Sequence, residues 1–176
     1  MGGLVLAPPA VDLAAAHEAP DPERGEAGAD DVHHGIEQTE ETLVIVKPDG
    51  VARNLTGEIL RRIEAKGYQL VDIRMLQADR DLLAQHYAEH EGKTFYEPLV
   101  EFMQSGPVVA VRVTGNRVIE GFRSLAGTTD PTTAAPGTIR GDLGRDWGLA
   151  VQQNLVHGSD SPESAARELA LWFARG

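Results

Sequence analysis

The chain has 176 residues, no cysteine, 27 acidic against 16 basic side chains and a formal net charge of −11, a length that suits one domain with a real core. Disulfides and thiolate metal sites are excluded, a reducing cytoplasmic location is expected, and no apolar run reaches the roughly 18 residues of a membrane-spanning helix. Residues 1–40 hold nine of the acids and a single base, Arg24, so the remainder is nearly balanced and lacks the basic face that nucleic-acid binding requires.

In chain order, residues 1–40 are rich in Ala, Gly, Pro and acid without an aromatic residue, which predicts a disordered tail ahead of one domain at residues 41–176. The continuous apolar run at 43–46 predicts a strand covered on both faces, ended by Lys47-Pro48-Asp49-Gly50. Thr56 is placed to cap a helix that carries Ile59, Leu60 and Ile63 inward and stops at Gly67. In "YQLVDIRML", Val71, Ile73 and Met75 alternate with Asp72 and Arg74, predicting a second strand.

Two helical segments follow, near 80–90 and 95–104, the second with Phe95, Leu99, Phe102 and Met103 on one stripe. "VVAVRV" at 108–113 predicts a third strand, and Val118, Ile119, Phe122 and Leu125 a helix ended near Gly127. A Gly/Thr/Pro-rich loop runs over 127–138, a length usually functional or disordered. A short strand at 155–156 and a helix started by Ser161 and Pro162 close the chain. The order β-α-β-(αα)-β-α-β-α predicts an α+β fold, a ferredoxin-like β-α-β-β-α-β sandwich whose helices pack on an antiparallel four-stranded sheet, with a helical hairpin inserted between the second and third strands.

The chemistry concentrates in "NLVHGSDSPESA", residues 154–165. His157 lies between a strand and a turn, flanked by Gly158 and Ser159, and a neutral imidazole is a nucleophile at cellular pH. Lys47, Arg123, Thr129 and Arg140, with Asn154 three residues before the histidine, form a set suited to a polyphosphate, because guanidinium forks match phosphate oxygens and stabilise charge spread over them during transfer. Taken singly, Phe95 and Tyr87 read as packing residues and Glu168 as a solvated mid-helix side chain. His86 and His90 stand at i, i+4, a spacing compatible with zinc, but no third ligand is evident and no metal site is assigned.

The segments "TLVIVKPDGVARNLTGEILRRIEAKGY", "HYAEHEGKTFYEPLVEFMQSGPVVA", "GTTDP", "PGTIRGD" and "NLVHGSDSPESA", in that order from Thr42 to the end, resemble the nucleoside diphosphate kinase family. The resemblance implies a ping-pong reaction in which His157 takes the γ-phosphoryl group of a nucleoside triphosphate, mainly ATP, and passes it to a nucleoside diphosphate, with broad base and sugar tolerance. It implies ribose and phosphate contacts at Lys47, Arg123, Thr129 and Arg140, a sugar contact at Asn154, and base stacking on Phe95. It places Tyr87 near the histidine, gives Ser159 and Glu168 the task of holding the ring, and implies a long loop at the nucleotide site. Mg2+ would arrive on the nucleotide phosphates, and the protein would assemble as a homo-hexamer or homo-tetramer. A phosphohistidine carrier and an inactive nucleotide-binding scaffold are the alternatives; Lys47, Phe95 and Asn154 disfavour the first and an intact His157 the second. The chain departs from the family at "GDLGRDWGLAVQQ", a few residues longer than in most members, where Trp147 is expected to pack the extra residues down.

Overall fold

The computed structural model describes residues 39–174. Four strands, β1 (Thr39–Val46), β2 (Gln69–Leu76), β3 (Val108–Asn116) and β4 (Val156–Gly158), form one sheet in the order β2-β3-β1-β4. Each neighbouring pair is antiparallel. Among the described residues seven helices accompany it: α1 (Pro48–Ala52), α2 (Thr56–Ala65), α3 (Arg80–His86), α4 (Tyr96–Gln104), α5 (Val118–Ala126), α6 (Ile139–Leu143) and α7 (Pro162–Trp172), with a 3-10 turn at Ala88–His90. This is the expected α+β ferredoxin-like arrangement, with α3 and α4 as the inserted pair.

Alternation along β1 divides the core in two. Leu43 and Ile45 join Val108 and Ala110 of β3 against Leu83 of α3, Val100 and Met103 of α4, and Leu169 and Trp172 of α7. Val44 and Val46 join Val109, Val111 and Val113 against Ile59 and Ile63 of α2 and Val118 and Phe122 of α5. A central strand covered on both faces has to be apolar at every position, which explains the unbroken run at residues 43–46.

The structure refines several expectations. β1 starts at Thr39, two residues ahead of the boundary expected at 41, and the rest of the expected tail lies outside the described residues. Thr56 is the first residue of α2 and makes no side-chain cap; instead the N–H groups of Gly67 and Tyr68 bond to the carbonyls of Glu64 and Ile63, closing the helix at its other end. α1 and α6, of five residues each, were not predicted, because two turns or fewer carry no readable period. β2 is a strand as expected, but at the sheet edge its apolar alternates Val71, Ile73 and Met75 remain 52%, 47% and 65% exposed. No helix among the described residues is long and apolar enough to cross a membrane.

Candidate active site

β4 sets the position of His157. Its three residues pair with β1, placing His157 opposite Ile45, and alternation turns the imidazole toward α3 and α7. Gly158 faces the other way, against α5, where a Cβ would meet the Phe122 ring at 2.5 Å. Glycine is thus required there by the packing of Phe122, beyond any benefit of leaving the histidine uncrowded.

The ring is held from behind by α7. Its Nε2 lies 2.9 Å from Oε1 of Glu168, although the approach is poorly aligned for a linear hydrogen bond. Glu168 Oε2 accepts from the Ser159 hydroxyl at 2.5 Å, and Ser159 Oγ in turn accepts from the N–H of Leu43 at 3.2 Å. Glu168 is only 4% exposed, which overturns its reading as a solvated side chain. Burial acts to raise its carboxyl, but hydrogen bonding and charge from His157, with help from Ser159, outweigh that and hold it below the ordinary value.

His86 completes this buried group and was not foreseen in it. Its ring packs edge to face on His157 at 4.8 Å between centroids, and its Nδ1 accepts from Trp172 Nε1 at 3.0 Å. Burial, reinforced by His157, pulls its pKa down to about 3, so it stays neutral. The one trio among the described residues arranged to surround an ion is His86, His157 and Glu168, and His90 is not part of it. Tyr87 stands beside His86, ring centroids 4.6 Å apart, with its hydroxyl pushed well above the ordinary range by burial.

In front of His157 opens a cleft of about 350 Å³. Lys47, Arg123, Thr129, Arg140, Asn154, Tyr87, His157 and Glu168 all line it, so the site residues expected from five distant stretches of sequence are brought together. Arg140 Nε donates to the carbonyl of Asn154 at 3.0 Å, Nη1 to that of Gly127 at 2.9 Å and Nη2 to that of Val156 at 2.6 Å. Three of its five N–H groups are thereby used for placement, and two remain for a ligand. Burial, then the neighbouring Arg123, lowers its pKa to about 10, still well above neutrality.

Lys47 Nζ donates to Asn154 Oδ1 at 2.8 Å, and Asn154 Nδ2 donates to the Thr129 carbonyl at 3.1 Å, tying the end of β1 to the long loop. Burial, with Arg140 adding to it, brings the Lys47 ammonium down to about 8. Arg123, near the end of α5, lines the cleft, and its side chain makes no hydrogen bond or ion pair among the described residues. Ser159 lies behind the histidine and outside the cleft wall. Phe95 also stays outside it; 45% exposed, it contacts His90 edge to face at 5.2 Å beside the opening, so it is not a core residue.

Between Asn154 and His157 the backbone is strained. Leu155 has φ 72°, and the N–H of Val156 bonds back to the Asn154 carbonyl at 2.8 Å, a γ-turn of the rare form. Holding a leucine there costs on the order of 1–3 kcal/mol.

A model of the family described as "Nucleoside diphosphate kinase" matches residues 40–176. The chain belongs to the nucleoside diphosphate kinase family. The matched span takes in all of the described cleft residues. Among proteins of this name, that of Streptomyces coelicolor is 59% identical over 136 residues, covering 77% of this chain and 96% of the relative. That of Mycobacterium avium is 62% identical over 136 residues, covering 77% and 97%. The halophilic nucleoside diphosphate kinase of Halobacterium salinarum, solved in complex with CDP, superposes with a TM-score of 0.73 at 46% identity over 77% of this chain and 88% of its own. The Borrelia burgdorferi enzyme, a transition-state mimic with bound vanadate and ADP, gives 0.72 at 35% identity over 78% and 88%.

Between α6 and β4, residues 144–155 form no helix or strand. The guanidiniums of Arg53 and Arg145 stand 5.7 and 4.4 Å from the Trp147 ring, and Arg53 also donates to the Leu143 carbonyl at 2.7 Å. Trp147 thus touches the turn after α1 through Arg53 while remaining 45% exposed, less packed down than expected.

Proposed function

We propose that the protein is a nucleoside diphosphate kinase that carries the γ-phosphoryl group of a nucleoside triphosphate, mainly ATP, to a nucleoside diphosphate through phosphohistidine at His157. The observation that carries this reading is a single imidazole backed by a buried carboxylate and facing a cleft walled by Lys47, Arg123 and Arg140. Glu168 occupies the Nε2 side and favours a proton there, which leaves Nδ1 with its lone pair as the nucleophile. Nδ1 attacks the γ-phosphorus, the bond to the β–γ bridging oxygen breaks, and the nucleoside diphosphate leaves with that electron pair. A second diphosphate then runs the step in reverse. Arg123 and the free N–H groups of Arg140 stabilise the charge on the transferring group, Lys47 and Thr129 hold phosphate and ribose oxygens, and Asn154 meets the sugar. Tyr87 borders the phosphate side, Ser159 and Glu168 fix the ring, and Phe95 offers its exposed face to a base, a contact every base can make.

The trio of two imidazoles and one carboxylate does not suit Mg2+, which prefers oxygen donors. Glu89 and Asp160 on the cleft wall are hard oxygen groups that fit the water shell of a Mg2+ held by the nucleotide phosphates, and no direct protein ligand is assigned. When bound, that ion neutralises charge on the phosphates. The exposed Val71, Ile73 and Met75 on the β2 edge support burial against another copy in a homo-hexamer or homo-tetramer. We assign the protein to the cytoplasm, with nucleotides as partners and no role for nucleic acid or membrane.

Incubation with γ-labelled ATP tests the reading: acid-labile label should appear on His157 and chase onto several nucleoside diphosphates. His157→Ala should take no label and still bind nucleotide. Turnover retained by that variant refutes the covalent route.

A further inference from the structure

We propose that Asp49 is a positioning residue for phosphoryl transfer: its carboxylate holds the strained turn at Leu155 and thereby sets His157 against Arg140. The inference rests on the reading of His157 as the phosphoryl acceptor.

The γ-turn is gripped from both sides by the segment that follows β1. The Leu155 N–H donates to Asp49 Oδ2 at 3.1 Å, and the Leu155 carbonyl accepts from the N–H of Lys47 at 2.8 Å. Leu155 is fully buried, so no solvent reaches its N–H while the carboxylate is in place. Gly50 permits the close approach, because a Cβ there would meet Val46 Cγ1 at 2.8 Å and the Leu155 carbonyl at 3.2 Å. Lys47-Pro48-Asp49-Gly50 and Asn154-Leu155-Val156-His157, about a hundred residues apart in the chain, therefore work as one unit.

The turn controls the two groups that must meet the γ-phosphate. Arg140 is anchored on the carbonyls of Asn154 and Val156, the residues on either side of Leu155, and His157 comes next. Relaxing Leu155 to negative φ would splay those carbonyls, moving guanidinium and imidazole relative to each other. Without Asp49 relaxation is favoured, since the alternative is a buried N–H without a partner. Asp49 itself is not on the cleft wall, so it acts on the reaction through the backbone. Its Oδ1 has no hydrogen-bond partner, and the carboxylate also raises the neighbouring ammonium of Lys47, so a charge effect has to be separated from the turn.

The test is single-turnover formation of acid-labile label on His157 from γ-labelled ATP, in the full chain. Asp49→Ala should slow labelling about a hundredfold. Asp49→Asn, which keeps an oxygen for the Leu155 N–H and removes the charge, should stay within about tenfold of the wild type. Adding Leu155→Gly to Asp49→Ala should recover at least tenfold, because glycine adopts positive φ without strain. The double variant should also melt lower, having lost a buried side chain, so recovery of rate against a loss of stability separates positioning from a general structural role. Asp49→Leu, of similar shape, takes the place of Asp49→Ala if the latter does not fold, with the same outcomes expected. The inference is overturned if the apolar variant stays within threefold of the wild type, if Asp49→Asn is as slow as the apolar variant, or if glycine at 155 restores nothing. A wild type that takes no label on His157 overturns the proposed function as well.

Discussion

Replacing Glu168 by Gln keeps the volume of the side chain and reverses one hydrogen-bonding demand. The Ser159 oxygen accepts from Leu43 N–H and its single hydroxyl proton is given to the side chain of residue 168, a bond kept only if an oxygen stays there. A glutamine would therefore turn its oxygen to Ser159 and its NH2 to His157 Nε2. Nε2 would have to accept, the proton would move to Nδ1, and the lone pair would be lost from the atom that attacks. Loss of a charge-assisted hydrogen bond is worth about 1.5–3 kcal/mol, or roughly 10- to 150-fold in rate. The wrong tautomer adds to this, and in another histidine–carboxylate pair it costs up to about 10⁴-fold. The expected outcome is a fall of at least about a hundredfold in label transfer to His157, followed by rapid quench at saturating ATP. Nucleotide affinity, measured by calorimetry with ADP, should change by less than about threefold. A transfer rate within threefold of the wild type would refute the assignment of Glu168 as the group that fixes the ring.

Arg123 and Arg140 should differ in stability and agree in rate. Alanine at either slows transfer by roughly two or more orders of magnitude, equivalent to about 3 kcal/mol of transition-state charge stabilisation, but only Arg140→Ala, which releases three carbonyls, should also lower the melting temperature by several degrees. Because the Lys47 ammonium loses its proton near pH 8, kcat/KM should decline as pH rises through about 8, and Lys47→Met should abolish that limb of the profile while lowering the plateau. Removing residues 1–38 should leave exchange between ATP and a diphosphate within about twofold, since every described cleft residue lies at Lys47 or beyond; a larger loss shows that the segment contributes.

The parts of this fold legible in the sequence are those with a period or an unbroken apolar run. β1 announces itself as a strand covered on both faces, β3 as a strand by its run of valines, and α5 by its stripe. The chemistry of Lys47, Arg123, Arg140 and His157 could be read from residue type, while their convergence is a property of chain crossing that only the sheet order shows. Glu168 was legible in principle: with Ala165, Leu169 and Trp172 it falls at i, i+3, i+4 and i+7 of one buried stripe, and an acid on such a stripe signals a built partner. His86, one turn from buried Leu83, carries the same signal. The turn at Leu155 left no local mark, because a leucine at positive φ is imposed by tertiary bonds from Lys47 and Asp49.

β4 is three residues long, and its neighbours point to opposite sides, imidazole one way and glycine and valine the other. A misthreading of that strand by a single place would present an isopropyl group to the nucleotide and drive the nucleophile into the Phe122 packing. The fraction of molecules able to accept label after refolding therefore counts the chains that found the correct alignment, and enzymatic competence becomes a direct readout of folding fidelity.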